Sequence, residues 1–92
     1  MAQSTILASN VTAAQSSDVV IVAGTPKVIG LFVATGALDP AVSLQVCLKT
    51  PGSDTVIGNL TYARPALQLS GPGTYRVIRK AVTVAVGVYL EA

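Results

Sequence analysis

The side chains able to do chemistry are few and far apart. Four carboxylates (Asp18, Asp39, Asp54 and Glu91), one thiol (Cys47) and three tyrosines stand beside six Lys and Arg, and there is no histidine. That removes the commonest general base, triad partner and metal ligand. Acid–base work would need a carboxylate pair assembled by the fold. Yet Asp39 precedes Pro40 and Asp54 follows Pro51-Gly52-Ser53, where an aspartate serves to bond its own turn backbone. Cys47 has no histidine to activate it and lies mid-strand rather than at a helix N-terminus, so it reads as a half-buried structural thiol. Gly71-Pro72-Gly73 lacks the Lys-Ser/Thr and the helix of a phosphate loop. The residue set predicts no enzyme, no cofactor and no metal site.

Binding chemistry has a thin basis of its own. Tyr62 near Arg64 and Tyr75 beside Arg76 are the candidate pairs for stacking a base while meeting its phosphate. Aromatics make up 4% of the chain and tryptophan is absent, which argues against single-stranded nucleic acid and against glycans alike. The net charge is +2, too small for electrostatically driven nucleic-acid binding. From Tyr62 onward, however, Arg64, Arg76, Arg79 and Lys80 face a single acid, Glu91. They form either a weakly basic face for an acidic protein partner or, the more ordinary use, solvated charges that keep an apolar domain soluble.

Composition limits the setting. The 92 residues suit one domain, which would bury roughly 63% of its unfolded surface. Half the chain (51%) is hydrophobic and only 11% is charged, the reverse of a disordered composition. A lone cysteine allows no intrachain disulfide and suits a reducing compartment. The start of the chain has neither the basic nor the apolar region of a secretory signal, so Asn10-Val11-Thr12 and Asn59-Leu60-Thr61 read as chance sequons. The apolar stretch 81–90 is far short of the roughly 20 residues of a membrane helix.

The elements that must position these groups read as short β runs cut by Gly and Pro. Residues 18–23, 27–35, Ser43–Thr50, 55–61, 66–70, 74–80 and 82–90 are the strand candidates. Alternation is clearest in Ser43–Thr50, with Leu44, Val46 and Leu48 on one side and Gln45, Cys47 and Lys49 on the other. Val82, Val84, Val86, Val88 and Leu90 form a stripe expected to face the core of a central strand. Gly30 inside its run suggests a bulge or a close backbone approach. Residues 1–17, rich in Ala, Ser, Thr and Gln, are expected to be a flexible N-terminal arm or an edge strand, ahead of one domain over 18–92. The expected fold is all-β: an antiparallel β-sandwich, jelly-roll or immunoglobulin-like, of seven or eight strands.

Two resemblances add to this. The run Leu69-Ser70-Gly71-Pro72-Gly73-Thr74-Tyr75-Arg76-Val77 resembles the tyrosine region of immunoglobulin-like and fibronectin-like sandwiches. That likeness implies a Tyr75 hydroxyl tied back to nearby backbone. The order of the soft segment 2–17, the strand Val28-Ile29-Gly30-Leu31-Phe32-Val33, Gly73-Thr74-Tyr75-Arg76-Val77 and the ending Val86-Gly87-Val88-Tyr89-Leu90 is similar to small virion proteins of tailed bacteriophages, the head decoration (cement) type. This resemblance implies a non-enzymatic protein at the capsid surface, made in the host cytoplasm. It would be homo-oligomeric and bound to the major capsid protein or another virion protein. A chain so apolar is expected to bury surface against copies of itself or a large partner. The contact residues expected are Ile6, Leu7 and Val11 of the arm and the basic Arg64, Arg76, Arg79 and Lys80. The alternatives are a tail, fibre or head–tail connector component, or a sandwich module binding glycan or single-stranded nucleic acid.

Overall fold

Period-two alternation with frequent Gly and Pro leaves the backbone one cooperative option, short strands paired across tight connections. A computed structural model describes residues 3–34 and 36–91; residues 1, 2, 35 and 92, including the expected strand end at Thr35, lie outside the described residues. Nine strands occur among them: β1 (Gln3–Asn10), β2 (Ala14–Gln15), β3 (Val19–Ile21), β4 (Lys27–Phe32), β5 (Ser43–Thr50), β6 (Ser53–Thr61), β7 (Ala66–Leu69), β8 (Gly73–Arg79) and β9 (Val86–Glu91). One sheet has the order β1-β9-β4-β7 and the other β2-β8-β5-β6, with β3 also on β8. Every pairing is antiparallel, and the two sheets pack in the manner of a sandwich.

The count exceeds the expected seven or eight because the N-terminal segment supplies two strands. Gln3–Asn10 is an edge strand, paired with β9 from Gln3↔Glu91 to Asn10↔Val86. Two register shifts in β1, around Ile6 and after Leu7, let this apolar-poor strand insert Leu7 into the core, with Ile6 half-buried against it and Ala8 left outside. Both β2 and β3 pair with β8, so they act as one strand broken by Ser16–Asp18, and on that reading the strands number eight.

The core lies between the sheets. Ile29, Leu31, Val86, Val88, Leu7 and Leu69 enter from one side, and Leu44, Val46, Leu60, Val77, Val19 and Ile21 from the other. β5 spans its whole expected length, and the alternation holds through Leu44 and Val46, which are fully enclosed; beyond them Cys47 is buried as well and Leu48 only half-buried. The valine stripe is realised only in part. The strand starts at Val86; Val82 is half-buried and Val84 is 40% exposed. The reason is topological. β8 and β9 belong to different sheets, and a chain crossing the roughly 10 Å between packed sheets cannot stay in a ladder.

Gly30 marks a close approach and not a bulge. It pairs with Tyr89, and a Cβ there would collide with the Tyr89 ring. Two residues along, Phe32 pairs with Gly87, where an added Cβ would stand 2.6 Å from the Phe32 ring. Each aromatic therefore lies flat over a glycine of the neighbouring strand, on the outer face of the sheet. Cys47 also faces outward yet is fully buried, because its register partners Arg76 and Val56 flank it. It is thus more enclosed than the half-buried thiol expected.

The tyrosine tie is present: the Tyr75 hydroxyl donates to the Gly71 carbonyl at 2.7 Å. The exposed surface, 5103 Å², matches the roughly 5,000 Å² of a folded monomer of this mass.

Candidate docking end

Where the strands stop determines which side chains can meet. β1, β4, β6 and β8 end, and β2, β5, β7 and β9 begin, at one end of the sandwich, as the pairs Asn10↔Val86, Phe32↔Gly87, Ser43↔Thr61 and Ala14↔Arg79 require. Four connections emerge there: residues 11–13, 33–42, 62–65 and 80–85. Each crosses from one sheet to the other. The sheet orders set them in a row, 11–13 beside 80–85, then 33–42, then 62–65, spanning about 15 Å at ~4.8 Å per strand.

Neighbouring loops are bonded to one another. The Val82 N–H donates to the Val11 carbonyl at 2.9 Å, and the Thr83 hydroxyl donates to Asp39 Oδ2 at 3.2 Å. Asp39 also accepts the Ala41 N–H at 3.0 Å, the local turn role its sequence position suggested. Between these loops lies an open depression of about 220 Å³ lined by Asp39, Val42 and Ala81 to Val84. The last loop is a tight turn closed by Thr61 and Arg64, whose N–H groups each donate to the other's carbonyl, at 3.0 and 3.2 Å. It lifts Tyr62 to 53% exposure.

This end brings together three of the residues singled out from sequence, Val11, Arg64 and Lys80, all exposed. Tyr62 and Val84 join them as exposed apolar groups. From sequence Tyr62 stands out only as a base-stacking candidate, and the valine alternation places Val84 in the core, since no local signal marks the sheet crossing. The result is a row of exposed apolar groups, Val11, Tyr62 and Val84, with the cations Arg64 and Lys80 and the Asp39 carboxylate between the loops.

The other residues expected to make contacts are placed elsewhere. Leu7 is buried in the core, and Ile6 beside it is half-buried against the same cluster. Arg76 lies on the outer face of the second sheet, donating from Nε to Asp54 Oδ2 at 2.6 Å and from Nη1 to Gln15 Oε1 at 2.7 Å. Arg79 is 2% exposed, and its guanidinium donates to the carbonyls of Thr12, Ala8 and Val86, each at 2.7 Å. It offers no free cation to a partner; burial pulls its pKa below the ordinary arginine value. The sequence held the signal, because Tyr75, Val77 and Arg79 follow at period two and all point inward.

The remaining acids have separate engagements. Asp18 pairs with Lys49 at 3.0 Å, Asp54 with Arg76, and Glu91 accepts from Gln3 at 3.1 Å. Among the described residues no three His, Cys, Asp or Glu side chains gather as a metal site. Tyr75, buried and bonded to Gly71, is closed to base stacking, which leaves Tyr62 as the exposed member of that pair. No family model, curated protein or solved structure matches this chain.

Proposed function

We propose that this chain is a structural protein of a tailed-phage virion, a decoration (cement) protein that docks on the assembled head through its row of four loops. The observation that carries this reading is the gathering of Val11, Tyr62 and Val84 with Arg64 and Lys80 at one end of the sandwich. The strand order supports it. With β2 and β3 taken as one strand, β1-β9-β4-β7 against β2/β3-β8-β5-β6 is the order of a jelly roll, an architecture of viral capsid domains as well as of lectins and cupins. Fold alone does not name a function, so the weight rests on the loop row.

The mechanism needs no catalysis. A protein that binds the assembled shell and not its free subunits stabilises the shell by mass action. Repetition over symmetry-related sites turns a modest local affinity into a clamp on the whole head.

The test is binding of purified protein to heads stripped of it. Arg64→Glu with Lys80→Glu, and Tyr62→Ala separately, are expected to weaken binding about tenfold or more, the charge pair with added salt dependence. Absence of the protein from virions, or equal heat resistance of stripped heads, overturns the reading. Label found on the tail alone would move the protein to a tail or connector role. Salt-sensitive binding to single-stranded nucleic acid, lost on Tyr62→Ala, would replace docking with nucleic-acid recognition.

A further inference from the structure

Two of the chain's four aromatic residues stand on the outer face of the sheet β1-β9-β4-β7, where the aliphatic core gains nothing from them. Phe32 lies flat over Gly87 and Tyr89 flat over Gly30, so each turns a broad ring face outward. Thr5 pairs with Tyr89 and Gln3 with Glu91, which by strand alternation sets these four residues on the same face. Gln3, Ser4, Thr5, Phe32 and Tyr89 line an open pocket of about 300 Å³ there. That volume is at the small end for ligand sites. The Gln3 amide donates to Glu91 Oε1 at 3.1 Å, so an exposed glutamine is steered by a carboxylate beside the rings.

We propose that this pocket binds one neutral sugar ring of a glycan, stacked on Phe32 and Tyr89 and hydrogen-bonded through its hydroxyls to Gln3 and Thr5. A pyranose has an apolar C–H face, faintly positive, that suits the negative face of an aromatic ring. Its rim carries hydroxyls that both donate and accept, and the Gln3 amide and Thr5 hydroxyl do the same. A nucleic base would also stack. However, no Lys or Arg lines the pocket among the described residues, and the Glu91 charge bonded to Gln3 repels phosphate. An apolar protein surface pressed here would strand the Ser4 and Thr5 hydroxyls and the Gln3–Glu91 pair without water. Four aromatics are few for a long glycan groove, but one sugar ring needs only the two that the fold sets together. The pocket lies on strands and not on the loop row, so the inference does not rest on head docking.

The test is an NMR titration of the full labelled chain with maltohexaose, cellohexaose and chitohexaose in turn, up to millimolar concentration. At least one is expected to give saturable shifts confined to amides of residues 3–5, 30–32 and 87–91. Gln3→Ala and Thr5→Val alter exposed side chains and should leave the circular dichroism unchanged; each is expected to weaken that binding at least about fivefold. Tyr89→Leu is expected to abolish it, and the two milder variants keep the test decisive if that one unfolds. No saturable shift with any of the three sugars overturns the inference, as does binding indifferent to both Gln3→Ala and Thr5→Val, the result if the rings serve only to cover their glycines. Shifts confined to residues 62–65, or tighter binding of oligo-dT than of any sugar to the same amides, overturn it too. Head binding is scored separately: heads bound without sugar remove this inference alone, and sugar bound without heads removes only the docking role.

Discussion

The guanidinium of Arg79 donates to the carbonyl of Val86 at 2.7 Å and so fastens β8 of one sheet to β9 of the other. The same group reaches Ala8 on β1 and Thr12 in the loop that follows it. One buried cation thereby donates to three backbone carbonyls: Ala8 at the register shift of β1, Thr12 just beyond that strand, and Val86 at the start of β9. Arg79→Met should leave those carbonyls without donors. At roughly 1–3 kcal/mol per buried unsatisfied group, a loss of about 3 kcal/mol or more is expected. Urea unfolding measures it, and Arg79→Lys should recover only part, since one ammonium cannot span the three acceptors. An unchanged midpoint in Arg79→Met would show that the clasp does not hold the sheets.

Tyr75→Phe removes the hydroxyl bonded to Gly71 and leaves the ring in place. The expected cost is about 1 kcal/mol. Tyr62→Phe, altering an exposed ring, should cost nothing measurable. Equal effects of the two changes in thermal melts would contradict the tie.

Gly30→Ala should push the Tyr89 ring off the sheet, at a cost of about 1–3 kcal/mol from overpacking. Because the clash is with one side chain, the double variant Gly30→Ala with Tyr89→Ala should cost less than the sum of the two. A strictly additive pair in denaturant unfolding would mean that ring and glycine are not coupled.

The Cys47 thiol is enclosed, and burial first, then the nearby Asp54 carboxylate, raise its pKa above the ordinary thiol value, opposed by the Arg76 charge. The unfolded chain therefore loses this proton at a lower pH than the folded one. The stabilisation from the neutral thiol is complete below the unfolded pKa and is lost as pH rises through the folded value. Stability should fall above about pH 9, and Cys47→Ala should flatten that fall. Native protein should react with a thiol reagent only as fast as it opens; immediate stoichiometric labelling would refute the enclosure.

Much of this architecture is local and so was legible. β5 could be bounded to the residue because Leu44, Val46 and their polar alternates repeat at period two, and Pro51-Gly52 turns the chain into β6 at once. The tie of Tyr75 was implied by the likeness of the run Leu69 to Val77 to the tyrosine region of immunoglobulin-like sandwiches. The N-terminal segment resisted reading because an edge strand needs little apolar content; Leu7 alone anchors β1, and pairing with β9 does the rest.

The proposed docking end was legible only as separate residues. Val11, Arg64 and Lys80 are far apart in the chain, and nothing along it says that three loops and a tight turn emerge side by side.

The sequence by itself determined an all-β chain, most of its strands and much of its core, because alternation and turn chemistry act between near neighbours. Only the tertiary structure decided that the strands divide into two sheets with the chain crossing between them at residues 80–85. That crossing took Val84 out of the core, set Arg79 inside with its guanidinium on the carbonyls of Ala8, Thr12 and Val86, and left Lys80 beside it in solvent. The physical reason is that backbone hydrogen bonds must be satisfied wherever the chain changes sheets, and the donor that meets them can come from any part of the sequence.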